Sequence, residues 1–118
     1  MATLPICDTA RLAILASQIG EDVVKELIHT FLVDAAPRLA LIAAPTCSPM
    51  RLVHETHMLK GSAATVGASR MAELAAGLES RLRAGEAAPA PMIKALDHAF
   101  LAFSEMVRAM PPLGGPGA

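Results

Sequence analysis

The chain has no tryptophan, no tyrosine and only three phenylalanines in 118 residues. Sheets pack their pleated faces with aromatic and β-branched side chains, so this scarcity argues against a β fold. Cysteine is nearly absent too. Cys7 and Cys47 lie far apart and lack the paired spacing of a metal site or a disulfide framework. Free thiols of this kind fit a reducing compartment, and they are assigned no chemistry. Neither sign of charge is in excess, since ten basic residues stand against eleven acidic ones for a formal net charge of -1. That leaves no basic stripe for nucleic acid and no basic amphipathic segment for a membrane surface. No apolar run approaches the roughly 20 residues that span a bilayer, and no basic region followed by an apolar run opens the sequence. A cytoplasmic monomer is expected. The length suits one domain with its own core and is too short to add a kinase catalytic domain.

What the chain does have is helix-forming sequence. Hydrophobic residues make up 53%, much of it alanine, with seven methionines, a composition suited to closely packed helices. Asp8 or Thr9 can cap a short first helix bearing Leu12, Leu15, Ala16 and Ile19, with Gly20 ending it in a left-handed conformation. A second helix, about Glu21 to Ala43, presents Val24, Leu27, Ile28, Phe31, Leu32, Ala35, Leu39 and Ile42. Pro37 inside it predicts a kink. Ser48 and Pro49 are placed as N-cap and first residue of the third helix. Gly67 can stop that helix, and Ser69 can cap the fourth, whose stripe is Met71, Leu74, Leu78 and Leu82 before Gly85. Pro89 and Pro91 open a fifth that buries Ile93, Leu96, Phe100, Phe103 and Val107. The expected architecture is all-α, an antiparallel four-helix bundle with a short N-terminal helix. One helical domain covers 1–110, and 111–118 is a flexible Pro/Gly tail. Starting at Met1 and ending in such a tail, the chain reads as a free-standing module, although a segment excised from a larger kinase reads the same.

The third helix carries the chemistry. Leu52, Thr56, Leu59, Ala63 and Val66 form its core stripe. His57, Lys60, Gly61 and Ala64 lie roughly 80° to 180° away on the helical wheel. An outward face normally carries long polar side chains, whereas here a glycine and an alanine follow a histidine. Glycine within a helix costs about 1 kcal/mol relative to alanine. Gly61 sits one turn after His57, where a larger side chain would overhang the ring. Access to His57 accounts for the glycine better than helix packing does, because the core stripe is already filled.

At these residues the chain resembles the histidine-containing phosphotransfer (HPt) domains of bacterial two-component phosphorelays. Those domains carry a His-x-Leu-Lys-Gly-Ser-Ala core, a Leu-Gly-like helix end and a following helix with spaced leucines closing in Leu-Glu. This sequence has His57-Met58-Leu59-Lys60-Gly61-Ser62-Ala63, then Val66-Gly67-Ala68, then Met71, Leu74 and Leu78-Glu79. The likeness runs from near Asp8 to near Met110. It implies a helical bundle in which His57, through Nε2, reversibly accepts a phosphoryl group from an aspartyl phosphate on a receiver domain and passes it to another receiver. Its partners would be receivers of response regulators or hybrid histidine kinases. The Mg²⁺ for transfer would sit in the receiver, so no cofactor and no ATP-dependent kinase activity are expected of this chain.

The residues support that chemistry independently. An imidazole titrates near ~6.5, so at neutral pH a ring nitrogen keeps a lone pair and can attack phosphorus. Charge spreads over the equatorial oxygens of a transferring phosphoryl group, which a cation stabilises. Lys60, about 60° from His57 on the wheel, is placed to supply it. Glu79 has two open readings: a hydrogen-bond partner that orients the His57 ring, or a solvated carboxylate or ion pair with Arg83 one turn on. Ser62 points away from His57 on the wheel, which suits packing or a backbone bond. A partner would dock over His57, Gly61 and Ala64, with His54 beside them and apolar residues of the second helix at the rim.

Three rival readings fit less well. His54-Glu55-Thr56-His57 spaces its histidines i, i+3, unlike the i, i+4 of the metalloprotease helix. His54-Glu55 also resembles the phosphorylated helix of histidine kinases but lacks the turn that follows there. A bundle that binds receivers or a kinase without accepting phosphate, or one fed directly by a kinase, is the remaining alternative.

Overall fold

Caps and breakers set the helix limits. The computed structural model describes residues 4–111, and among them the chain is all-helical, with five helices and no strand. These are α1 (Thr9–Ile19), α2 (Glu21–Ala43), α3 (Pro49–Thr65), α4 (Ser69–Arg83) and α5 (Ala90–Ala109). The expected Pro/Gly tail lies outside the described residues except for Pro111. Asp8 caps α1 by accepting from the Arg11 N–H at 3.0 Å. Ser48 caps α3 in the same way, with Pro49 as the first helical residue. Ser69 does not cap α4. Ala68 occupies the N-cap, with no side-chain bond, and Ser69 is the first helical residue, because the turn before it is closed by backbone bonds.

Those bonds form a Schellman motif. The Ala68 N–H reaches the Ala63 carbonyl at 2.9 Å and the Gly67 N–H reaches Ala64 at 3.3 Å. Gly67 holds a φ of +74°, and a Cβ there would lie 3.1 Å from the Asp8 carbonyl oxygen. The closeness is used: the Asp8 N–H donates to the Gly67 carbonyl at 2.8 Å, and the Arg70 N–H donates to Pro5 at 2.9 Å. The segment before α1 thus straps the α3–α4 turn in place.

Pro37 does not interrupt α2, which is helical throughout. Both Pro37 and Val33, whose carbonyl loses its donor, lie on the exposed side, where water can satisfy it.

Four helices contact in a ring, α2 on α3, α3 on α4, α4 on α5 and α5 on α2, while α1 packs on α2. Leu12, Val24, Leu59, Met71, Leu78, Leu96 and Phe103 are fully enclosed between them. Each such side chain contributes about 1.5–3 kcal/mol through the apolar surface removed from water. Phe31 and Phe103 meet edge to face with ring centroids 5.6 Å apart.

Two expected core residues are outside it. Ile19 is 42% and Leu27 36% exposed, because α1 has only α2 to pack on and Leu27 lines an open groove between α2 and α3. In exchange, α3 buries Glu55 and α4 buries Glu79. Thr56 Oγ1 is the buried side-chain polar atom without a hydrogen-bond partner among the described residues.

Candidate functional site

α3 and α4 leave the short turn at Gly67 side by side, which sets His57 of α3 against Glu79 of α4. Leu59, Ala63 and Thr56 anchor α3 in the core, so the opposite side of that helix, with His57, faces outward. The His57 side chain is 54% exposed, whereas that of Glu79 is 7% exposed. His57 Nδ1 lies 3.0 Å from Glu79 Oε2. The same oxygen accepts from Arg83 Nε at 2.8 Å and pairs with Arg83 Nη2 at 2.7 Å. Oε1 pairs with Lys60 Nζ at 2.7 Å. One carboxylate therefore gathers three donor side chains from two helices.

The electrostatics follow from that geometry. The hydrogen bond from Lys60 is foremost in pulling the Glu79 carboxyl down to about 2; Arg83 and His57 assist, and burial works against them. At neutral pH Glu79 is ionised and can only accept, so His57 Nδ1 must be the donor in their shared bond. In the neutral ring this bond selects the Nδ1–H tautomer, which leaves the lone pair on Nε2. Nε2 has no hydrogen-bond partner among the described residues. The arrangement offers a half-exposed imidazole anchored through Nδ1, with Lys60 and Arg83 gathered on the carboxylate that anchors it.

The structure brings His57, Lys60 and Glu79 together. Glu79 is buried and not solvated, and its carboxylate contacts both the His57 ring and Arg83. Gly61 and Ala64 are exposed along α3 beyond His57, and His54 is exposed before it. A Cβ at Gly61 would meet nothing within 4 Å, so no other helix among the described residues packs against it. Ser62 Oγ donates to the Met58 carbonyl at 2.9 Å, away from His57. No group of three or more His, Cys, Asp or Glu among the described residues is placed to share a metal ion.

Sequence reasoning missed a second carboxylate cluster. Glu55, 6% exposed, accepts from Arg38 Nη1 of α2 at 2.8 Å and from Arg51 Nε at 3.1 Å. It ties α3 to α2 through Arg38. The Arg51 spacing of i, i+4 was a readable signal, but Arg38 comes from another helix and left none.

No helix among the described residues is long and apolar enough to cross a membrane. Comparison with curated proteins and with solved structures gave no match. Comparison with protein families matched the Hpt domain over residues 26–110, a span that takes in α3, α4 and every residue of the site above. With an outward histidine braced across two helices and a family match over most of its length, the chain belongs to the Hpt domain family, the helical phosphotransfer modules of phosphorelays that interact with receiver domains and histidine kinases.

Proposed function

We propose that this protein is a phosphorelay intermediate in which His57 accepts a phosphoryl group from the aspartyl phosphate of one receiver domain and gives it to the aspartate of another. The observation that carries this reading is the His57–Glu79 bond, which holds the proton on Nδ1 and leaves Nε2 exposed as the nucleophile. In the forward step the Nε2 lone pair forms an N–P bond while the P–O bond to the aspartyl carboxylate breaks, and that carboxylate leaves as the anion. The Nδ1 proton stays in its bond to Glu79, so the phosphorylated ring keeps its anchor. In this scheme Lys60, three residues after His57 on α3, turns from Glu79 to the transferring oxygens, and Arg83 retains Glu79 when it does. The Mg²⁺ that neutralises the aspartyl phosphate belongs in the receiver in this scheme.

The ring of contacts among α2 to α5 supports an antiparallel four-helix bundle as the frame. So do the cross-helix pairs. Arg38 and Glu55 lie at similar distances either side of the α2–α3 loop, as do His57 and Glu79 either side of the α3–α4 turn.

The test is transfer from a panel of phosphorylated receiver domains to the native chain and to His57→Gln. A phosphohistidine is acid-labile and base-stable, whereas an acyl phosphate is lost in base. Acid-labile label present on the native chain and missing from the variant is expected. A receiver that binds both chains equally yet labels neither would instead make this protein an adaptor.

A further inference from the structure

The partner-facing stripe of α3 does not begin at His57. Met50, Val53 and His54 precede it by seven, four and three residues, on the side of the helix that also bears His57, Gly61 and Ala64. With Leu82 and Arg83 of α4 they line a shallow groove of about 560 Å³ whose wall includes His57. Met50 is 84% exposed, the highest value among the large hydrophobic residues left on the surface. No carboxylate lines this groove, and its charged or titratable members, His54, His57 and Arg83, are all basic in kind. The groove between α2 and α3 is smaller, about 200 Å³, and carries Asp34.

Resting on the phosphotransfer reading above, we propose that the receiver docks across the α3–α4 groove on the N-terminal side of His57, setting an apolar side chain flanked by a carboxylate against Met50, Val53 and Leu82. Two observations select that occupant. The groove is continuous with the His57 ring, so whatever delivers a phosphoryl group to Nε2 lies over its rim. Its apolar floor and the half-exposed Arg83 guanidinium at its rim complement an apolar residue beside an acidic one. The contact would extend the surface over Gly61 and Ala64 by two turns of α3, placing His57 in the middle of the footprint and not at its edge.

Met50 permits a clean test because it is almost fully exposed and is the second residue of α3, where an acidic side chain favours the helix dipole. The variants are Met50→Glu and Met50→Lys, with helicity checked by circular dichroism. Each is labelled in two ways: by the small molecule phosphoramidate, which yields phosphohistidine and ammonia without a protein surface, and by the phosphorylated receiver that labels the native chain fastest. Labelling by phosphoramidate should match the native chain in both variants. Transfer from the receiver should slow about tenfold in Met50→Glu, less in Met50→Lys, with the gap between them narrowing as salt rises. Native transfer rates in both variants would overturn the docking site, and equal slowing in both would overturn the acidic partner. A native chain that phosphoramidate cannot label would bring down the His57 reading itself.

Discussion

His57 Nδ1 donates to Glu79 Oε2 at 3.0 Å, across the interface of α3 and α4, while Lys60 and Arg83 hold the same carboxylate from either side. The His57 ring is thus held by a carboxylate whose charge two cations already balance.

Glu79 is therefore expected to act as an acceptor first and as a charge second. Glu79→Ala removes the acceptor and frees the ring, and transfer to His57 should fall about tenfold to a hundredfold, as for other groups that orient a reactive imidazole. Glu79→Gln keeps a carbonyl for Nδ1 and should retain most of the rate. Equal losses in the two variants, measured with the same receiver, would contradict the orienting role.

Acid stability should report the same carboxylate. Glu79 in the folded chain is held at about 2, below its ordinary 4.5, by Lys60 above all. A depressed folded value means that the unfolded chain takes up the proton first as pH drops. The stability it contributes is whole above pH 4.5 and is lost as pH falls through about 2. Urea midpoints of the native chain and Glu79→Gln should differ most at neutral pH and converge over that window. Parallel curves down to pH 2 would show that the ionised group adds nothing to folding.

Gly61 should trade stability for access. Nothing lies within 4 Å of a Cβ there, and the residue is helical, so Gly61→Ala should stabilise the fold by about 0.5–1 kcal/mol. Thermal unfolding would register the gain. Transfer from a receiver should slow, and more so for Gly61→Leu, whose side chain reaches over the ring. A Leu variant with native transfer would remove the case for a partner at this position.

Thr56 offers a purely structural check beside the site. Its hydroxyl is buried without a partner, and an unmade hydrogen bond of that kind costs on the order of 1–3 kcal/mol. Thr56→Val keeps the shape and removes the polar atom, so denaturant melts should show a gain of about 1 kcal/mol. A loss of stability would mean that the hydroxyl is satisfied in solution.

The helices were legible because their signals are local. Asp8, Ser48 and Pro49 announce starts, Gly20, Gly67 and Gly85 take positive φ at ends, and the apolar spacing of α3 alone puts His57, Gly61 and Ala64 outside. Ser69 misled for an instructive reason: a good capping residue is not used when a Schellman turn has already arranged the backbone around it. Ile19 and Leu27 misled because a periodic stripe says which side of a helix is apolar without saying how much of that side a neighbour covers.

What sequence alone determined about this protein is its helical class, the outward placement of His57 and the small residues beside it, since these follow from spacing along one chain segment. Only the tertiary structure decided the partners of Glu79 and Glu55. Each is a carboxylate within a mostly apolar stripe, and its burial is favourable only because cations from the same and a neighbouring helix converge on it, Lys60 and Arg83 on one and Arg38 and Arg51 on the other. That convergence depends on how two helices are rotated against each other, a quantity set by the whole core and by no single stretch of residues.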